Sequence, residues 1–203
     1  MDSLNTFALE SNKQFKINFA GGDLSSDAGL LLIKEFAAKI GFEDLVRKNF
    51  KTNDHAASRH HTDVDNLLQM IYQTIAAYHR DDNADELTHD PVMTAVLGKE
   101  ALASQPTLSR FFNRMDQDTL EQMNRLQMHC MAYNLFHWFR RLALTKSMRR
   151  HHIDTIRIKL LKIAARAVRS ARYIHFRLSS SCPYKKEFFE TLTNIGRLRL
   201  QLE

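Results

Sequence analysis

The chain is poor in the residues that interrupt helices or staple small folds, with three prolines, six glycines and two cysteines among 203 residues. So little Pro and Gly leaves long uninterrupted stretches and favours helices. The two cysteines, Cys130 and Cys182, exclude a disulfide scaffold and a Cys-ligated zinc site, and suggest a reducing compartment. No run of about 18 apolar residues exists, so no segment reads as membrane-spanning and no membrane partner is expected. The polar opening from Met1 to Lys16 does not read as a secretion signal, which makes the cytoplasm the expected location.

What is present suits a soluble globular chain: 44% hydrophobic residues, a mean hydropathy of −0.39, and length enough for one substantial core or two small domains. Charge is divided unevenly. Residues 125–203 carry 17 of the 29 Lys and Arg against four acids, a net of +13. Residues 1–124 carry the other 12 bases against 19 acids, a net of −7. A cationic segment of this density attracts polyanions, and DNA is the first candidate partner.

Phe15, Ile17 and Phe19 alternate with Lys16 and Asn18, which predicts one strand before Gly21-Gly22. Ser25, Ser26 and Asp27 offer caps for a helix to about Phe50, broken near Gly41. Val64, Leu67, Leu68, Ile71, Ile75 and Tyr78 predict a second helix over Asp63 to His79. Short helices are expected at Pro91 to Leu97 and Pro106 to Met115. The pair has helix-turn-helix proportions, although Leu108, Phe111 and Phe112 read as core. A long helix is expected from Asp118 to about Leu144.

The next segment, Ile153 to about Phe176, reads as a single amphipathic helix. Ile156, Leu160, Leu161, Ile163, Ala164, Ala167, Val168, Ala171 and Ile174 form one stripe at 100° per residue. Lys159, Lys162, Arg166, Arg169, Arg172 and Arg177 gather opposite, and Arg157 and Ile158 break the pattern. With almost no carboxylates interleaved, these charges repel unless an anion neutralises them, which favours DNA phosphates over a merely solvated face. A membrane surface or an acidic partner is the weaker alternative. A last amphipathic helix carries Phe188, Leu192, Ile195 and Leu198.

Other constellations read as structural. His55, His60, His61, Asp63 and Asp65 cluster in sequence, but without HExxH spacing or paired cysteines they suit surface or capping roles, so no metal ligand is assigned. His79-Arg80-Asp81 matches a kinase catalytic loop by chance, since the glycine-rich loop and the DFG are missing. Cys130, among Met128, Met131 and Tyr133, reads as core. Tyr133, Phe136, His137, Trp138 and Phe139 beside Arg140 and Arg141 have the makings of a base-stacking patch, yet their helical spacing favours core.

Phe19-Ala-Gly-Gly-Asp-Leu-Ser-Ser-Asp-Ala-Gly-Leu-Leu-Leu32, Ala77-Tyr-His-Arg-Asp-Asp-Asn-Ala-Asp85, Leu87-Thr-His-Asp-Pro91 and Ser104-Gln-Pro-Thr-Leu-Ser-Arg110 resemble the N-terminal part of bacterial insertion-sequence transposases of the DDE domain group 1 type. Ala132-Tyr-Asn-Leu-Phe-His-Trp-Phe-Arg-Arg-Leu142, Lys146-Ser-Met-Arg-Arg150, Leu160-Leu-Lys-Ile-Ala-Ala165, Val168-Arg-Ser-Ala-Arg-Tyr173 and Cys182-Pro-Tyr-Lys-Lys186 resemble its C-terminal end. The resemblance implies a bacterial cytoplasmic protein of DNA transposition. In such ribonuclease-H-like enzymes an Asp, Asp, Glu trio holds two Mg²⁺ ions that drive in-line displacement at a DNA end.

The family carries that core between the two stretches, whereas this chain passes directly from Leu120-Glu-Gln-Met-Asn124 to Arg125-Leu-Gln-Met-His129. About a domain's length is missing at a join near 124/125. The resulting expectation is a mainly α chain: a helical N-terminal region with one short strand over 1–124, a basic helical segment over 125–203, and the RNase H-like sheet largely absent. No catalytic residue is assigned and no cofactor is expected, Mg²⁺ belonging to full-length relatives. DNA contact is assigned to Arg140, Arg141, Arg149, Arg150, Lys159, Lys162, Arg166, Arg169 and Arg172. The alternatives are an interaction protein that regulates a full-length transposase or pairs with itself, and a remnant without function.

Overall fold

A computed structural model describes residues 6–21, 26–50, 52, 58–80, 82–114, 125–170 and 172–198. The chain forms two compact units. One joins Met1–Ile40 to Trp138–Glu203, and the other is Gly41–His137.

The first unit is built on a sheet. Strand β1 (Phe7–Ala8) pairs antiparallel with β2 (Phe15–Gly21), β2 pairs parallel with β4 (Ile174–Ser179), and β3 (Ala165–Arg169) closes the order β1-β2-β4-β3 antiparallel to β4. The expectation of a mainly α chain, with one short strand, a helical C-terminal segment and the sheet largely absent, is therefore corrected: the described residues contain a four-stranded mixed sheet, two strands of which come from the C-terminal segment.

The largest departure lies in the segment 153–176. In place of the single expected helix stand a short helix α8 (Ile153–Ile156), a π-helical turn (Arg157–Leu161), and then β3 and the start of β4. The π turn falls where Arg157 and Ile158 break the helical stripe, and its extra residue rotates the chain beyond it out of that stripe. Past the turn, Ala165 is buried beside exposed Arg166, and Phe176 and Leu178 are buried around exposed Arg177, which is a period of two. Ala, Arg and Leu form helices readily in isolation. Strand β2 overrides that preference, because only an extended chain pairs with its edge.

One sheet face carries the core of this unit. Pairing places Phe15 beside Ile174, Ile17 beside Phe176, and Ala165 beside Leu178. Helix α9 (Lys185–Arg197) packs on this face through Phe188 and Phe189, whose rings lie 5.5 and 5.1 Å from that of Phe19. Helix α1 (Leu30–Lys39) is buried along most of its length, and its Glu35 carboxylate, itself buried, accepts the backbone N–H of Glu10 at 2.6 Å and that of Ser11 at 3.0 Å, and also the Ser11 hydroxyl. This holds the turn between β1 and β2 on the helix without an orphaned charge.

The start of α1 differs from the sequence expectation. Its cap is Gly29, with no side-chain capping bond. The orphan N–H groups of Ala28 and Gly29 are instead satisfied by the carbonyls of Ile163 and Leu161, at 2.8 and 3.0 Å. A Cβ on Gly29 would overlap the Leu160 carbonyl oxygen and the Leu161 Cα, so close backbone approach requires glycine here.

The second unit is helical: α2 (Phe42–Asn49), α3 (Asp63–Ile75), α4 (Asn83–Glu86), α5 (Pro91–Leu97), α6 (Gln105–Arg114) and the first part of α7 (Arg125–Leu142). Gly41 separates α1 from α2 at φ +65°, as the glycine position suggests. Thr62 and Asp65 form a reciprocal capping box at the start of α3. That helix stops at Ile75, short of the His79 expected, because Ala77 turns left-handed at φ 69° while Tyr78 donates back to Gln73 O at 2.8 Å. Asp90 caps α5, and its pair α6 buries Leu108 and Phe111, in keeping with core. The expected helix from Asp118 is present from Arg125, while its portion over 118–124, where a join is expected, lies outside the described residues. The unit boundary falls within α7, at Trp138.

Candidate nucleic-acid interface

The nine basic residues assigned to DNA all lie in the sheet-bearing unit, but not on one helix face. Arg140 and Arg141 end α7, while Arg149 and Arg150 lie on a single 3₁₀ turn over Met148–Arg150. Arg140 Nε donates to the Arg149 carbonyl and Arg149 Nε to the Leu144 carbonyl, both at 2.8 Å. Two of the four guanidinium groups thus serve carbonyls near the helix end, where cations are favoured. Arg141, Arg149 and Arg150 are exposed.

The two lysines are engaged within the protein. Lys159 Nζ lies 3.1 Å from His151 Nε2 and 5.2 Å from the centre of the Tyr184 ring. Lys162 Nζ lies 2.8 Å from Asp27 Oδ1, a carboxylate only 1% exposed. Arg166 and Arg169 stand on β3, Arg172 in the turn to β4, and all three are exposed.

Strand pairing adds a group that helical periodicity hid. On the sheet face opposite the core, Arg166 is paired with Arg177, and Arg177 with Asn18. The next row sets Val168 beside His175 and His175 beside Lys16. Lys16 Nζ sits 3.7 Å from the centre of the Tyr173 ring, which meets His175 edge-on at 6.2 Å. The alternation of Ile174-His-Phe-Arg-Leu178 is the signal in the sequence for this face; helical periodicity over the same residues sets Arg177 with Arg166 on one helix and leaves Lys16 in a separate element.

Other readings divide. Phe136 and Phe139 are buried, whereas Tyr133 and Trp138 are 55% and 47% exposed, so the aromatic cluster is only partly core. Cys130 is exposed, contrary to the expectation of core, because it lies off the face of α7 that buries Met128, Ala132 and Leu135. In the helical unit, Asp65 meets Arg47 and Lys99 at 3.3 and 2.8 Å. Burial works upward on its carboxyl, but hydrogen bonds from Lys99 and Thr62 and the charge of Lys99 outweigh it and hold the group below its ordinary value. His61 is shifted down by burial and by the charges of His60 and Lys99. No helix among the described residues is long and apolar enough to cross a membrane.

The family described as Transposase DDE domain group 1 matches this chain over residues 7–125 and again over 119–200. The chain belongs to that transposase family. No curated protein and no solved structure matches it.

A carboxylate-held metal pair, as such transposases use, finds no fit among the described residues. Asp27, Glu35 and Asp65 are committed to Lys162, to backbone N–H groups, and to Arg47 and Lys99. No group of three or more His, Cys, Asp or Glu side chains there is arranged to hold an ion.

Proposed function

We propose that this chain is an internally shortened transposase of insertion-sequence type that binds DNA with little regard to sequence and does not itself cut or join strands. The observation that carries the reading is that the family match comes in two pieces, 7–125 and 119–200, overlapping over 119–125, as an internal shortening there would produce. The net charge of +13 over residues 125–203 supports phosphate contact, since each neutralised phosphate releases condensed counterions.

The test has two arms. The purified chain should retain a duplex in a salt-dependent manner, and in Mg²⁺ or Mn²⁺ it should leave supercoiled plasmid and linear element ends unnicked. Specific nicking that survives removal of contaminating nucleases would overturn the catalytic half of the reading; failure to bind any duplex at low salt would overturn the other half.

Trp138 and Leu142, 47% and 46% exposed and one helical turn apart on α7, favour a second reading. In it the chain pairs with itself or with a full-length transposase and regulates it. Co-purification with an intact relative, lost on Trp138→Ala, is its test.

A further inference from the structure

The outer face of the four-stranded sheet is built as a cationic platform, and we propose that it is the surface on which the DNA backbone lies. This rests on the DNA-binding reading above and names the site for it. The sequence of the four strands holds Lys16, Arg166, Arg169, His175 and Arg177, and not one Asp or Glu. Four of those five residues share the face turned from the core: Arg166, Arg177, His175 and Lys16.

The pairing is what makes this face unusual. Arg166 and Arg177 are direct cross-strand partners, and like charges directly opposite one another destabilise a sheet. An ordinary solvated sheet face places opposite charges or threonines at such positions. Both arginines are exposed, so an anion can reach them. Arg166 and Arg177 stand on neighbouring strands about 5 Å apart, with buried Asn18 beyond them on β2, and the row of His175 and Lys16 lies about 7 Å along the strands, a patch wide enough to meet more than one phosphate.

Side-chain geometry selects backbone contact over base stacking. The Tyr173 ring, 37% exposed, is already engaged by the Lys16 ammonium at 3.7 Å and by the His175 edge. It therefore positions Lys16 toward the basic face and offers little free surface to a base. By contrast, Lys162, prominent in the sequence pattern, is paired with Asp27.

The experiment uses the full chain and a 20-base-pair duplex of arbitrary sequence, with affinity measured across a salt series. Arg166→Gln with Arg177→Gln should lower the slope of log K against log salt by about 2 units, while Lys48→Gln with Arg110→Gln, an equal loss of exposed charge in the helical unit, should leave it unchanged. An unchanged slope in the sheet variant, or an equal fall in both variants, overturns the platform while leaving DNA binding itself standing. A wild-type chain that binds no duplex overturns both at once. Independently of any variant, bound duplex should shield Arg166 and Arg177 from phenylglyoxal in the wild-type protein, read by mass spectrometry. Equal modification with and without DNA overturns the proposal even if a variant misfolds.

Discussion

Lys162 reaches back across the chain to place its ammonium 2.8 Å from the carboxylate of Asp27, which is buried at the entry to α1 in a left-handed conformation of φ 75°. The two residues belong to the two separately matched family segments, and beside them the Ala28 and Gly29 N–H groups bond the Ile163 and Leu161 carbonyls. The first part of the N-terminal segment, within Met1–Ile40, therefore completes one folded unit with Trp138–Glu203, and the basic tail is a structural part of it.

Replacing Lys162 by Met should destabilise the protein by about 1–3 kcal/mol, since a buried acceptor loses a charged partner. Asp27→Asn together with Lys162→Met should cost less than the two single changes summed, which a double-mutant cycle by thermal or urea melting will show. Strict additivity would mean that the pair contributes nothing beyond its members.

Gly29→Ala should cost about 3 kcal/mol or more, or abolish folding, because the added methyl overlaps the π-turn backbone and backbone cannot rotate away. The φ of −66° at this position is ordinary, so the loss would be steric alone. A melting temperature equal to that of wild type would show that the close approach is not maintained in solution.

Ala77→Gly should have the opposite sign. Left-handed backbone costs a non-glycine residue about 1–2 kcal/mol, and glycine gives back about half of that in unfolded-chain entropy. The expected net gain is about 0.5–1 kcal/mol, measured as a higher urea midpoint at unchanged m-value. A lower midpoint would refute the left-handed cap at the end of α3.

Acid should destabilise the chain in two stages. His61 is shifted below 6.5 in the fold, so the unfolded state binds its proton first and stability declines as pH falls beneath about 6.5 toward the folded value. Asp65 is likewise held below 3.8, and its contribution, complete above that value, is lost as pH falls further. Stability measured from pH 7 to 3 should show the first decline removed by His61→Gln and the second reduced by Asp65→Asn. A profile unaltered by either change would contradict these shifts.

Much of the helical unit is legible in the amino-acid order, because its signals are local. The Asp63 helix start, the Gly41 break and the Pro91 and Pro106 starts depend on capping chemistry and backbone freedom within a few residues. Strand β2 was legible for the same reason, through the alternation of Phe15, Ile17 and Phe19. The family was legible too, from long strings at both ends of the chain.

Residues 157–179 take their conformation from distant partners. Their apolar positions satisfy a period of 3.6 nearly as well as a period of two, and Ala, Arg and Leu favour the helix. What settles the matter is the open edge of β2, more than 150 residues earlier, whose hydrogen-bonding groups are satisfied by β4 lying parallel to it. That non-local pairing also redistributes the charge: Lys162 turns inward to Asp27, while Arg166, Arg177 and Lys16, which no helical pattern unites, come to share one face. Cross-strand neighbours are set by register between distant segments, and register is a property of the folded sheet.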